Sequence, residues 1–151
     1  MQIIEPISRK LIRLGKLYLN VLTRHTAHLD VTRYHFILSL IYHHDGLLTQ
    51  NALAQILDKD KSAMVSILNT LTAKGFVYRE CNPNDRREHL LRVTDKAKLA
   101  VPQIAAAFEN INTDISKGIS AHEMKIFESV LQRMQKNIKP YTTQANLKIT
   151  K

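Results

Sequence analysis

Arg86 and Arg87 stand side by side in the octapeptide NPNDRREH, residues 82–89, with Asp85 immediately before them. A guanidinium stays charged at neutral pH and offers a planar fork of donors, which suits it to phosphate and carboxylate oxygens. Two of them in a polar turn are chemistry for holding an anionic partner, not for breaking bonds. A second group precedes them in the chain. Lys61, Ser62, Ala63, Ser66 and Asn69 fall on one outward face if residues 61–73 are helical. Serine and asparagine side chains can bond base edges, with Asn69 able to pair with an adenine. Lys61 and Lys74 are better suited to phosphates, which position a protein without specifying a sequence.

The other reactive side chains form no comparable group. No GxSxG, P-loop, HExxH or CxxC pattern occurs, so no catalytic residue, no resident cofactor and no enzyme activity is expected. The seven histidines include His25 and His28, three apart, and His35, His43 and His44, but no set has the spacing of converging metal ligands, and no metal site is expected. Cys81 is the only cysteine and permits no internal disulfide; it is read as structural, and thiol sensing would need a lowered pKa. Twenty-two Lys and Arg against 13 Asp and Glu leave a net charge of +9, which favours a polyanion, nucleic acid before a membrane surface. Arg9, Lys10, Arg13 and Lys16 form a basic stretch near the N-terminus that reads as a solvated helix face rather than a membrane anchor. No apolar run approaches the roughly 18–20 residues of a membrane span. A cytoplasmic location follows as the expectation.

The elements that must carry these residues can be read from periodicity. The 151 residues contain only four glycines and four prolines, so long helices are expected in one domain. Ile7, Leu11, Leu14, Tyr18, Val21, Leu22, His25 and Leu29 recur every three or four positions, predicting a helix over residues 6–29. Thr32 is the expected cap of a second helix that ends near Asp45-Gly46. Thr49 and Asp60 are expected caps of two short helices joined by the polar turn 58–61, a helix-turn-helix. Gly75 stops the second of these. Strands near 76–81 and 90–94 flank NPNDRREH as a hairpin. Thr94 or Asp95 opens a helix over 96–117 with Pro102 inside it, and Gly118 ends it. Ser120 and Glu123 form a capping box for a last helix, expected to stop at Pro140 with a loose tail over 140–151.

The fold class is therefore mainly α with a small β-hairpin. A helix-turn-helix followed at once by a hairpin is a winged helix, whose second helix enters the major groove of DNA. The hairpin is the wing, and an arginine at its tip suits the negative potential of a narrow minor groove. Here the residues resemble the MarR family of winged helix-turn-helix regulators. The resemblance rests on ILDKDKSAMVSILNTLTAKGFVYRECNPNDRREHLLRVT, above all on Asp85-x-Arg87 with Val93-Thr94 after it, and on the AKGFVYR joint between helix and strand.

The resemblance implies a winged unit over approximately residues 32–95, flanked by dimerisation helices over approximately 6–29 and 96–139. It implies a homodimer on a pseudo-palindromic duplex, most often acting as a repressor. It implies that Arg87 enters the minor groove and that Asp85 shapes the wing by pairing with it. It further implies release by a small aromatic or anionic effector, for which Tyr18, His25, His35 and Phe36 are pocket candidates. One departure stands out. Many relatives carry Thr-Arg where this chain has Val65-Ser66, and Asp-Arg where it has Asn69-Thr70, so the common recognition-helix arginine is missing. An interaction module without DNA binding, or a nucleoid-type protein held by charge alone, are the alternatives.

Overall fold

The computed structural model describes residues 4–147. Its elements are α1 (Ile7–His25), a 3-10 turn (Ala27–Leu29), α2 (His35–His43), α3 (Gln50–Ile56), α4 (Lys61–Ala73), β1 (Val77–Cys81), β2 (His89–Val93), α5 (Asp95–Ile115) and α6 (Ala121–Leu147). The chain falls into two compact units, one up to Ile111 and one from Asn112.

The first unit is organised around Phe76, which is fully buried with Leu38, Ile41, Leu53, Met64, Leu68, Leu71, Leu91 and Ile104. These side chains come from α2, α3, α4, the hairpin and α5, so a single core locks the helix-turn-helix to the wing. Each such large apolar side chain contributes about 1.5–3 kcal/mol by leaving water. Local signals set the boundaries. The Thr49 hydroxyl accepts the Ala52 N–H at 3.1 Å, and Asp60 Oδ1 accepts the Ala63 N–H at 2.7 Å. Each satisfies one of the donors that a helix start leaves open. Gly75 follows α4 at φ +76°, a left-handed conformation that glycine adopts without penalty.

The wing is antiparallel, with Val77 opposite Val93 and Cys81 opposite His89. It is widened by the connection between α2 and α3. Gly46 N–H donates to Leu91 O at 2.9 Å, Leu91 N–H donates to Leu48 O at 2.8 Å, and Thr49 pairs with Leu90. Leu47 points to water while Leu48 is buried, the alternation of an extended segment. Arg92 lies over this junction. Its guanidinium is 3.8 Å from Asp45 Oδ2, and its Nε is 3.2 Å from Glu80 Oε2, an ion pair without the alignment of a hydrogen bond. Tyr78 first, then Asp45 and Glu80, raise the Arg92 pKa above its ordinary value.

Three expectations are corrected. The first helix ends at His25, not at residue 29, because the Thr26 hydroxyl turns back to Leu22 O at 2.7 Å and the chain continues as a 3-10 turn. Thr32 does not cap α2; it lies at φ +63°, and Tyr34 occupies the cap position with no side-chain bond. Pro140 does not stop α6, which runs on to Leu147. The ring removes one N–H from the ladder, and the surrounding turns keep the helix continuous. The last four residues of the expected tail lie outside the described residues.

In the second unit, Ser120 and Glu123 form the expected capping box. The Ser120 N–H donates to Glu123 Oε2 at 2.7 Å, and the Glu123 N–H donates to Ser120 Oγ at 3.2 Å. The Ser120 N–H, and then its hydroxyl, hold the Glu123 carboxyl below its usual pKa. Ile126, Phe127, Val130, Met134 and Ile138 of α6 are exposed apolar side chains.

Candidate nucleic-acid interface

α4 buries Met64, Ile67, Leu68 and Leu71, so its opposite face is left to solvent. Lys61, Ser62, Ser66 and Asn69 are exposed there and Ala63 is half-buried, as their spacing requires. Lys74 departs from its expected place. It is the C-terminal cap of α4, and its ammonium is 2.6 Å from Asp30 Oδ1. Its carbonyl accepts Lys96 Nζ at 2.7 Å. Lys74 and then Lys96 hold the Asp30 carboxyl below its ordinary pKa. Lys74 is thus a structural tie between α4 and the segment after α1, and its charge is already matched.

The wing tip is built around Asp85. Asp85 Oδ1 accepts the Arg87 N–H at 3.0 Å and lies 3.4 Å from Arg87 Nε. Asn82 closes the turn, its N–H donating to Glu88 O at 2.9 Å while its own Oδ1 accepts the Asn84 N–H at 3.0 Å. These bonds explain the cluster of Asn and Asp, whose short side chains substitute for backbone acceptors in tight turns. They also fix the base of Arg87 while its side chain stays 92% exposed. A preordered but unburied guanidinium loses little entropy on meeting an oxyanion. Arg86 is exposed beside it.

Arg79, on β1, is a residue that sequence reasoning missed. Its Nη2 donates to Gln50 Oε1 at 3.3 Å and to Asn69 Oδ1 at 3.2 Å, joining the wing to α3 and to the outward face of α4. Its partners are 29 and 10 residues away, so no local pattern signals it. The Asn69 amide must turn its oxygen toward the guanidinium, since an NH2 cannot accept. The oxygen keeps a second lone pair, and the NH2 its two donors, for a ligand.

The four pocket candidates lie in different surroundings. Tyr18 packs with Leu22, Ala107 and Ile111, and burial raises its pKa. His35 is buried, with Nε2 2.7 Å from Thr26 Oγ1. Because the Thr26 hydroxyl donates to Leu22 O, His35 must donate through Nε2, leaving Nδ1 as a bare buried acceptor. Burial lowers the His35 pKa and favours this neutral form. Phe36, the next residue, is 61% exposed, and His25 is exposed. The clefts beside α4 and the wing are lined by none of these four. Cys81 is exposed, with Sγ 3.8 Å from Arg86 O. Among the described residues no three His, Cys, Asp or Glu side chains gather as metal ligands, and no helix is long and apolar enough to cross a membrane.

Comparison with known proteins agrees with this architecture. The MarR-family profile matches residues 29–88. A protein of Thauera aromatica named as a transcriptional regulatory protein for the hcr operon is 33% identical over 98 residues, 65% of this chain and 58% of that protein. The HTH-type transcriptional regulator YdgJ of Bacillus subtilis is 31% identical over 102 residues, 68% of this chain and 62% of that protein. The chain thus spans about three fifths of the length of both relatives. Among solved structures, a MarR-family regulator of Listeria monocytogenes in complex with a 26-mer DNA superposes with a TM-score of 0.78 at 23% identity, covering 89% of this chain and 90% of that one. That likeness concerns the fold. Residues 29–88 match the MarR-family profile, and the core, the capped helix-turn-helix and the Asp85-ordered wing agree with that likeness.

Proposed function

We propose that the protein is a sequence-specific, double-stranded DNA-binding transcriptional regulator, a repressor, working as a homodimer in the cytoplasm on a pseudo-palindromic operator. The observation that carries this reading is the pairing of an exposed polar face on α4 with an Asp85-ordered, fully solvated Arg87 on the wing. One surface suits base edges in a major groove and the other an adjacent minor groove. Supporting the dimer, α1 leaves Ile7, Leu11, Leu14, Leu17 and Val21 exposed, and α6 leaves its own apolar row exposed. Such rows are covered by partners in stable proteins. A two-fold dimer presents two recognition helices to half-sites about one turn apart. The reading includes release by a small aromatic or anionic effector, a coupling typically worth about 1–3 kcal/mol. It is checked by measuring DNA affinity with and without aromatic acids.

The decisive test is selection from randomised duplexes at near-physiological salt, with wild type and Arg87→Ala side by side. The reading expects a two-fold symmetric consensus whose enrichment Arg87→Ala weakens. Salt-sensitive retention without any enriched motif would leave a nucleoid-type binder. Retention of no duplex would leave a protein-interaction module.

A further inference from the structure

Ser62, Ser66 and Asn69 cover an arc of about 60° on α4, and this arc has two differently built edges. Beyond Ser66, Ala63 and Ile67 form one wall of a cleft whose other wall is Arg33, Tyr34, Ile37 and Lys59. Beyond Asn69 stands Arg79, in a second cleft that contains Gln50, Asn51, Arg87 and Glu88. The outward face of the recognition helix is therefore bordered by cations on both sides.

The charge of Arg33, Lys59 and Arg79 is unmatched, unlike that of several other basic side chains of the same unit. Lys74, Arg92 and Lys98 each lie within ion-pair distance of a carboxylate. Among the described residues, Arg33, Lys59 and Arg79 have no carboxylate at such distance. Arg79 is nevertheless held in place, and by neutral groups. Both hydrogens of its Nη2 are used by the amide oxygens of Gln50 and Asn69, which leaves Nη1 and Nε to a ligand. Glu88, in the same cleft, accepts instead from Asn82 Nδ2 at 3.3 Å. Arg33 is steadied over the Tyr34 ring, 5.5 Å from its centroid. Cations ordered by amides and an aromatic ring, with no internal counter-charge, are suited to an external polyanion.

Resting on the DNA-binding reading, we propose that Arg33 with Lys59 on one side of α4, and Arg79 on the other, grip phosphates of the two strands that border the major groove. The grip replaces the missing recognition-helix arginine with contacts that seat α4 and leave sequence choice to its polar arc and the wing. Phosphate contacts have a signature that base contacts lack. Each lowers the slope of log K against log salt by about 0.9 and acts alike on all sequences.

The experiment is fluorescence anisotropy on the selected operator and on a scrambled duplex, between 50 and 200 mM salt. The variants are Arg33→Gln, Lys59→Gln and Arg79→Gln, with the ion-paired Lys98→Gln as charge control. All four side chains are exposed, and thermal melting verifies folding. Each of the three is expected to cut the slope by about 0.9 per protomer, about 1.8 in a two-fold dimer. That equals about 3.5-fold or 12-fold less salt sensitivity across the fourfold range. Affinity for both duplexes should fall by the same factor, with Lys98→Gln unchanged. Unchanged slopes, losses confined to the operator, or an equal drop in Lys98→Gln would each overturn the proposal. Absence of any duplex binding by wild type would instead overturn the DNA-binding reading itself.

Discussion

Replacing Gly46 by alanine should loosen the wing from the helix-turn-helix. Gly46 lies at φ +74°, where an L side chain costs about 1–2 kcal/mol. A Cβ there would also collide with Arg92 Nη1 and crowd the rest of the guanidinium, at 3.1 Å from Cζ. Arg92 is a flexible side chain and would swing away, giving up its half-exposed ion pairs with Asp45 and Glu80. Pairs of that exposure are worth about 0.2–1 kcal/mol each. Gly46→Ala should therefore cost about 1.4–4 kcal/mol in all. At roughly 2–4 °C per kcal/mol for a chain of this length, the melting temperature should fall by about 3–16 °C. The assay is urea denaturation of a double-mutant cycle. In an Arg92→Ala background the clash and the ion pairs are already gone, so Gly46→Ala should cost only the backbone share. The difference between backgrounds should be about 0.4–2 kcal/mol, the share of the two ion pairs. An equal loss in both backgrounds would show that Arg92 is not the obstacle. A loss under about 0.5 kcal/mol would refute the backbone argument as well.

Other expectations follow from single contacts. Asp60→Ala removes the acceptor for the Ala63 N–H and should cost about 0.5–2 kcal/mol in urea, with Asp60→Asn close to wild type. Burial lowers the His35 pKa, so the unfolded chain takes up a proton first as pH falls. Stability should hold above the ordinary histidine value of about 6.5, then fall by about 1.4 kcal/mol per pH unit until the folded pKa is reached. His35→Gln should flatten that dependence, and an unchanged pH profile would contradict the assignment. Leu14→Asp places a charge on the exposed apolar row of α1 and should shift sedimentation toward the monomer. Unaltered sedimentation of a dimer would place its interface elsewhere.

The local elements were legible because they depend on neighbours in sequence. Thr49, Asp60, Ser120 and Glu123 bond to N–H groups three residues away, a distance that the chain itself guarantees. The same holds for Asp85 and Arg87, two residues apart in a turn that Asn82 closes. The buried face of α4 followed from helical spacing alone. The failures were also local readings, but of residues whose conformation is set from afar. Thr26 ends α1 while bonded to His35, nine residues on, and Thr32 sits in the segment that joins them. Pro140 marks a break by its chemistry alone, yet the turns around it keep α6 continuous.

By itself the sequence determined the order of the helices, the starts of α3, α4 and α6, which faces are apolar, and that an arginine-tipped hairpin follows a helix-turn-helix. Each of these arises from interactions within one or two turns of chain. Only the tertiary structure decided which exposed cations are free. Lys74 and Arg79 look alike as basic residues near the end of the same helix-strand joint. Packing brings Asp30, 44 residues away, to Lys74, and brings only the neutral amides of Gln50 and Asn69 to Arg79. A charge is neutralised by whatever the fold places within a few ångströms of it, and that distance is written nowhere along the chain.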